Sequence, residues 1–360
     1  MVLFKDFKTP LVSKGTSLMV QPGLFDLDNR LESLSRLGDP LLTLNKTIPW
    51  NTFRPTLTKA LKKFRKNNAG RKPFDSILMF KILILQSLYN LSDDQTEYQI
   101  KDRLSFTRFL DLQLEETIPD AKTLWTFRDT LSQKGAIEKL FKKFNRFLDA
   151  EGFIARQGQI IDASIVPVPI QRNTKKENES VKQGEVPTAW KDKPDKLRQK
   201  DTDARWTKKN GKSYFGYKNH INTDRKHKLI RNYEVSDASV HDSKMFDSVL
   251  DPDNTGKQVW ADSAYRSSAS DEELKRRNLK NEIHYKGYRN RPLSKAKLRV
   301  NKKRSKVRAR VEHVFGFQQN SLGGKLVRSI GILRAKAKIG MMNLAYNIKR
   351  YAYLQRLNEA

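Results

Sequence analysis

The chain has 360 residues, which is enough for two domains, and a formal net charge of +31. Such a surplus favours a polyanionic partner, nucleic acid first among them, and the alternative is a solvated basic surface of the kind that ribosomal proteins carry. The absence of cysteine excludes disulfides and thiolate zinc sites, and a count of five histidines argues against a histidine-rich zinc centre.

Neither a secretion signal nor a membrane span is expected. Residues 1–6 lack the layout of a signal peptide. The most apolar stretch, 77–91, is interrupted by Lys81 and is too short and polar to cross a bilayer, so it predicts a buried helix. We therefore expect a cytoplasmic protein with no membrane partner.

The first part of the chain is predicted to be helical. Residues 1–52 have weak periodicity and several Gly and Pro residues, so we expect a partly ordered arm there. Residues 53–152 predict an all-helical domain. Its helices are expected at 55–66, 73–91, 96–110, 122–132 and 137–148.

From residue 153 to 360 the pattern changes to short apolar runs separated by turn residues, and it predicts a second domain. Strands are expected at 159–166, 214–222, 229–235, 258–261 and 282–285. Helices are expected at 242–250, 269–277, 297–317 and 335–357. This order predicts an α+β or α/β mixed sheet covered by helices, with a helix-rich C-terminus. The polar stretch at about 174–212 is expected to be a flexible insertion.

Three carboxylates occupy positions in the sequence that binding of a cation would explain. Asp162 lies inside the apolar run 159–166, and Asp262 follows the run 258–261. Because an unpaired carboxylate in a buried strand costs free energy, we expect a divalent metal to neutralise them. Glu312, in a basic amphipathic helix, can complete the set. Two Mg²⁺ ions about 4 Å apart, held by carboxylate oxygens, can cleave a phosphodiester.

Each carboxylate also has an interpretation without catalysis. Asp162 could be a turn or surface residue, although its apolar neighbours argue against this. Asp262 could cap a short helix, and Glu312 could be a salt-bridge partner in a basic helix.

The helix that carries Glu312 is strongly basic. Residues 286–310 contain about a dozen Lys and Arg and no acid, which predicts a surface that follows a nucleic-acid backbone. Arg308 lies one turn before Glu312, where it could hold that carboxylate or contact the scissile phosphate. The other basic candidates on this helix are Arg304, Lys306 and Arg310.

Seven blocks of sequence, in this order and spacing, resemble the DDE transposases of bacterial insertion sequences. The resemblance is to the insertion-sequence-five family and its relatives in the insertion-sequence-four group, and it covers most of the chain. The blocks are GRKPFD at 70–75, PDAKTLWTFR at 119–128, IDAS at 161–164, GYKNH at 216–220, VHDS at 240–243, ADSAYRS at 261–267 and RARVEHVFG at 308–316.

The resemblance implies a ribonuclease-H-like catalytic domain with two Mg²⁺ or Mn²⁺ ions per active site. It carries Asp162, Asp262 and Glu312 over as the metal ligands. Relatives have a Tyr three residues before the Arg and a Lys or Arg seven residues after the Glu. Here those positions are Ser305 and Gln319, so Lys325 or another lysine is a candidate for the missing DNA contact.

Several further residues are candidates for support or DNA contact. Tyr265 either contacts DNA near the cut or is a core aromatic, and His241 is expected to help order the site without being catalytic. Asp242 is the expected cap of the helix that follows. Lys122 and Arg128 could lie on a recognition helix that reads DNA ends. Phosphate contacts are expected from Lys62, Lys63, Arg65, Lys66, Arg71 and Lys72.

The expected function is therefore that of a transposase acting on double-stranded DNA. It would bind the terminal inverted repeats of its element, cut DNA strands at the ends and join the freed 3′ hydroxyl to target DNA, in an oligomer that is at least a dimer. The alternatives are a ribonuclease-H-like nuclease such as a junction resolvase, and a catalytically silent DNA-binding regulator.

Overall fold

The computed structural model describes residues 23, 25–62, 72–154, 156–252 and 256–359. Contacts divide the chain into two units, 1–39 and 40–360. The described part of the first unit contains helix α1 (Asp26–Arg36). Four of the basic residues that the sequence suggests as phosphate contacts, Lys63, Arg65, Lys66 and Arg71, lie outside the described residues, as does the end of the helix expected at 55–66.

The second unit begins with a group of packed helices. They are α2 (Pro40–Thr47), α3 (Arg54–Leu61), α4 (Ser76–Tyr89), α5 (Asp93–Asp102), α6 (Leu104–Phe109), α7 (Ala121–Gln133) and α8 (Ala136–Ala150). Helix α4 begins where the Asp75 side chain accepts hydrogen bonds from the Ile77 and Leu78 amides. It ends at Asn90, which adopts a left-handed conformation. Most of α4 is buried, as its continuous apolar sequence predicts.

The sheet follows, with six strands. They are β1 (Gln159–Pro167), β2 (Arg205–Lys209), β3 (Lys212–Asp224), β4 (Ile230–Asp237), β5 (Gln258–Ala261) and β6 (Lys280–Asn281). Strand β1 is central, with β3 antiparallel on one side and β5 parallel on the other. Strand β4 pairs antiparallel with β3, and β6 pairs parallel with β5. Strand β2 pairs antiparallel with the first residues of β3. The order β4-β3-β1-β5-β6 along the rest of the sheet confirms the ribonuclease-H-like mixed sheet.

One expected strand, 282–285, differs from the structure. The β6 ladder with β5 lies earlier, at Lys280–Asn281. Backbone hydrogen bonds nevertheless continue from the Glu282 amide to the Val259 carbonyl (2.9 Å) and from the His284 amide to the Ala261 carbonyl (3.1 Å). The chain is therefore extended beside β5 through His284, although the regular ladder has already ended.

The insertion between β1 and β3, expected to be flexible, contains regular structure. It holds α9 (Lys175–Lys182), α10 (Thr188–Lys191), α11 (Pro194–Arg198) and β2. Trp190 is fully buried, and its indole N–H donates to Glu177 at 2.5 Å. The ammonium groups of Lys196 and Lys200 lie over the Trp190 ring. One large aromatic side chain thus organises a segment whose low hydrophobic content suggested disorder.

Two long helices complete the described chain. Helices α12 (Phe246–Val249) and α13 (Ser268–Arg276) cover one face of the sheet, and α14 (Lys295–Ser321) and α15 (Ile332–Glu359) follow. Helix α15 packs against α8, α7, α4 and β4, so a single hydrophobic core joins the helical region to the sheet. Among the described residues, no helix is long and apolar enough to span a bilayer.

Buried amide side chains connect β3, α14 and α15. Asn343 of α15 accepts hydrogen bonds from Asn219 of β3 (2.9 Å) and from Gln318 of α14 (2.7 Å), and all three side chains are buried. Because buried polar groups need partners, this network fixes the position of α14 relative to the sheet.

Removing Asn343 should therefore destabilise the protein. The variant Asn343→Ala leaves the Asn219 and Gln318 amide donors without their shared acceptor, so we expect the free energy of unfolding in urea to fall by about 1–3 kcal/mol. The control is Asn358→Ala, an exposed asparagine of the same helix. Equal stability of the two variants would contradict a role for this network.

Candidate active site

The sheet register places Asp162 and Asp262 side by side. Strands β1 and β5 pair in parallel through Ile160 with Trp260 and Ile161 with Ala261. Asp162 and Asp262 are the next residues on the two chains, at the point where β5 ends. The carboxyl ends of parallel strands are a common position for functional side chains in sheets covered by helices. These two carboxylates therefore meet through backbone pairing, independently of any side-chain contact.

Asp162 is the buried member of the pair. Its side chain is 14% exposed, Oδ2 is 2.6 Å from Nη1 of Arg308, and Oδ1 accepts a hydrogen bond from the Ala163 amide at 2.8 Å. Burial raises the pKa of Asp162 above its ordinary value even though Arg308 opposes the shift, and the neighbouring Asp262 adds to it. The strand thus holds a carboxylate whose charge is only partly compensated by the protein.

Asp262 has a second role as the cap of a short turn. Its carboxylate accepts hydrogen bonds from the amide and the hydroxyl of Ser263, which opens the 3₁₀ turn Ser263–Tyr265. The capping interpretation from the sequence is therefore present in the structure. It leaves the position beside Asp162 unchanged.

Glu312 reaches this pair only through Arg308. Its side chain is 65% exposed, and Oε1 lies 3.7 Å from Nη2 of Arg308. Within the described residues, no group of three or more acidic or histidine side chains is arranged as a ready metal site. The structure therefore brings Asp162 and Asp262 together, and the guanidinium group of Arg308 lies between Asp162 and Glu312.

Tyr265 is a core aromatic in this structure. Its side chain is fully buried, with 0% of its surface accessible to solvent, and its ring packs against Phe246 at a centroid distance of 6.1 Å. Burial raises the pKa of Tyr265, and the charges of Asp162 and other carboxylates add to the shift. Its hydroxyl has no hydrogen-bond partner among the described residues. A buried ring cannot stack on DNA, so the structure supports the interpretation of Tyr265 as a core aromatic.

His241, rather than the expected Asp242, caps the turn that follows β4. The ring Nδ1 of His241 accepts a hydrogen bond from the Ser243 amide at 3.3 Å. Asp242 is instead paired with Lys218, whose ammonium lies 2.9 Å from the carboxylate and also donates to the Val240 carbonyl. Asp242 is the first residue of the turn, which places His241 at the capping position.

Lys218 was not singled out from the sequence, although it stands in the GYKNH block. It belongs to β3, and its register partner is Ile165 of β1, three residues after Asp162. Gln319 also has a contact that the sequence did not suggest, since its amide donates to the Ser164 hydroxyl at 3.2 Å. The Gln319 side chain thus contacts the strand that carries Asp162, and Lys218 is paired with the same strand through its backbone.

The basic candidates divide into engaged and exposed side chains. Arg304 is 10% exposed and bonds to Glu282 (2.8 Å) and to the Ile283 carbonyl (2.6 Å). Arg128 donates to both carboxylate oxygens of Asp93, at 2.5 and 2.7 Å. These two arginines tie elements together in the structure. Lys122, Lys306 and Arg310 are exposed.

Comparison with known proteins gives the family. The model for the Transposase DDE domain matches residues 154–348, and a second model, Transposase domain (DUF772), matches residues 29–130. The chain belongs to the Transposase DDE domain family, and it is a transposase, a metal-dependent enzyme that cleaves and transfers DNA. Among solved structures, it is similar to the piggyBac transposase synaptic complex with hairpin DNA, at 13% identity and a TM-score of 0.44, over 89% of this chain and 76% of that chain.

His220, a buried residue of β3 whose register partner is Ala163 of β1, should make the stability of the protein depend on pH. Burial lowers the pKa of His220 from 6.5 to about 4, against the effect of Asp242 and with that of Lys218. The unfolded chain takes up a proton near pH 6.5, whereas the folded chain resists until about pH 4. The free energy of unfolding should therefore fall as the pH drops through this window, by on the order of 3 kcal/mol.

Urea unfolding between pH 7 and pH 4 measures this effect. The His220→Gln variant should lose most of the dependence on pH that the wild type shows between pH 6.5 and 4. His241→Gln, at an exposed position, should keep it. Parallel profiles for the wild type and His220→Gln would show that His220 is not the group responsible.

Proposed function

We propose that the chain is the transposase of an insertion sequence of the insertion-sequence-five family, related to the insertion-sequence-four group. It binds the terminal inverted repeats of its element, cleaves DNA strands at the ends and joins the 3′ hydroxyl to target DNA. The observation that carries the proposal is the register that sets Asp162 beside Asp262 at the end of β5. Neither a resolvase nor a silent regulator is favoured, since the matched family is one of transposases.

The donors suit Mg²⁺ or Mn²⁺, two per active site. Asp162, Asp262 and Glu312 offer only carboxylate oxygens, which hard divalent cations prefer, and the partly uncompensated charge of Asp162 favours a cation beside it. Glu312 is exposed, so burial does not hold its side chain away from the pair. Bound metal supplies the charge that activates a water or hydroxyl and stabilises the leaving oxygen of the phosphodiester.

Arg308 has two tasks in this proposal. It orients Asp162 through the 2.6 Å contact and favours the charged form of that carboxylate, and it can bind the scissile phosphate with its remaining donors. A phosphate that approaches the carboxylates would meet a cation already in place.

The remaining parts of the chain serve DNA binding in this proposal. The helical region 53–152 recognises the element ends, with Lys122 as an exposed basic contact, and residues 153–360 carry the chemistry. Residues 286–310, with Lys306 at an exposed position in α14, follow the DNA backbone. Two ends must be held together, so the enzyme acts as an oligomer, at least a dimer, in the bacterial cytoplasm.

Cleavage of labelled DNA from the ends of the element tests the proposal. Asp162→Asn, Asp262→Asn and Glu312→Gln should each lower the Mg²⁺-dependent cleavage rate by more than about 100-fold, the scale seen when even an outer metal partner is lost. Duplex binding in EDTA should persist. Glu272→Gln, at an exposed glutamate of α13, is the matched control. Cleavage by Glu312→Gln at the wild-type rate would remove Glu312 from the site.

Metal binding should also appear without any reaction. Addition of Mg²⁺ in place of EDTA should raise the melting temperature of the wild type, because a ligand that binds only the folded state stabilises it by about 2.7 kcal/mol at 100 times its Kd. Asp162→Asn should show little shift. Asp195→Asn, which changes an exposed aspartate, should respond like the wild type. Equal shifts in all three proteins would place the metal elsewhere.

A further inference from the structure

Four basic side chains from three elements meet on the opposite flank of α14. Arg310 and His313 belong to α14, Arg350 belongs to α15, and Lys228 lies in the turn between β3 and β4. The charges of Arg350 and Arg310 act on Lys228, and those of Lys228 and Arg350 act on His313. We call these four residues the basic cluster. None of them belongs to the carboxylate site.

The turn itself positions the cluster. Arg310 donates to the Arg225 carbonyl at 2.7 Å, and Arg350 donates to the His227 carbonyl at 2.7 Å. The Lys228 carbonyl is held by the hydroxyl of Tyr346 at 2.8 Å. Three contacts to one short turn therefore fix the two arginine side chains and the backbone of the lysine. Backbone carbonyls orient these cations without neutralising their charge.

Among the described residues, no carboxylate forms an ion pair with Lys228, Arg310 or Arg350. The nearby Asp224 is fully buried and accepts a hydrogen bond from the His227 amide instead. Like charges held close together repel each other, and burial together with this repulsion lowers the pKa of Lys228. The arrangement is unfavourable until an anion joins it.

We propose that the basic cluster of Lys228, Arg310, His313 and Arg350 is a phosphate-binding site for the backbone of the DNA that enters the active site. Arginine and lysine together suit a tetrahedral oxyanion, because they provide planar paired donors and a point charge. Arg310 and His313 are exposed, so a phosphate can reach them. This proposal rests on the proposed function in one respect only, namely that DNA is the source of the phosphate.

The distance to the carboxylates suits a neighbouring phosphate on the same DNA. Arg308 and Glu312 lie on one flank of α14, whereas Arg310, two residues after Arg308, lies on the far side of the helix. A helix is about 10–12 Å across with its side chains. A duplex with its scissile phosphate at Asp162 can therefore cross α14 and place another phosphate at the cluster.

The dependence of duplex binding on salt tests this site without any cleavage. In EDTA, each of the variants Lys228→Gln, Arg310→Gln and Arg350→Gln should lower the slope of log Kobs against log[KCl] by about 0.9, the value for one lost phosphate contact on duplex DNA. The loss should be similar for element ends and for unrelated duplexes of about 30 base pairs, since phosphate contacts carry no sequence information.

Controls separate the site from general charge and from folding. Arg276→Gln removes the same charge from an exposed arginine that is paired with Glu273, and it should keep the wild-type slope. Arg310→Lys keeps the charge and should restore most of the slope. Without DNA and at low salt, Lys228→Gln should melt no lower than the wild type, because its removal relieves repulsion.

Two outcomes would overturn the proposal. Wild-type slopes in all three cluster variants, or the same loss in Arg276→Gln, would show that the cluster does not hold a DNA phosphate. Stabilisation of the wild type by inorganic phosphate that Arg310→Gln loses, with unchanged DNA slopes, would make the cluster a site for free phosphate. Failure of the catalytic proposal would appear separately, as cleavage that survives Asp162→Asn.

Discussion

A carboxylate placed in the middle of a buried strand constrains the rest of this structure. Asp162 lies within β1, next to the end of β5, where burial works against its charge and Asp262 adds repulsion. The cation in direct contact with Asp162 is Arg308, which comes from a helix 146 residues later in the chain. The site is therefore costly for the folded protein alone, as is common where binding of a cation and a substrate later offsets the cost.

Helix α14 is the element through which this constraint spreads. Its Arg308 and Glu312 face the aspartates, and its Arg310 and His313 contribute to the basic cluster on the other flank. The helix is fixed at its far end by Gln318, which bonds to the buried Asn343 of α15. Because α15 also packs on the helical region, the position of α14 depends on the core of the whole second unit. The proposed catalytic residues and the proposed DNA contact thus share one helix as their support.

Neutral and charged polar groups are treated differently in the interior. The buried amides of Asn219, Asn343 and Gln318 satisfy each other, so they fix geometry at little cost. Around the site, by contrast, charges and hydrogen bonds are not fully compensated. The charge of Asp162 is only partly compensated, and the Tyr265 hydroxyl has no partner in the described residues. The charge of the basic cluster is likewise uncompensated, and it is positive.

The sequence by itself determined most of the elements and the residues that their period places in the core, although it missed the helices of the insertion and the position of β6. Strands β1, β3, β4 and β5, the long helices and the mixed sheet follow from apolar periodicity, and the basic stretch 286–310 follows from composition. The order of the blocks was enough to identify a DDE transposase. Only the tertiary structure decided which side chains meet. The pairing of β1 with β5 set Asp162 beside Asp262, and Arg308 came between Asp162 and Glu312. The tertiary structure also buried Tyr265 and engaged Arg128 and Arg304 in ion pairs. It placed Lys228, Arg310 and Arg350 at one turn. Such contacts join residues tens to hundreds of positions apart, and no local pattern in a single sequence encodes them.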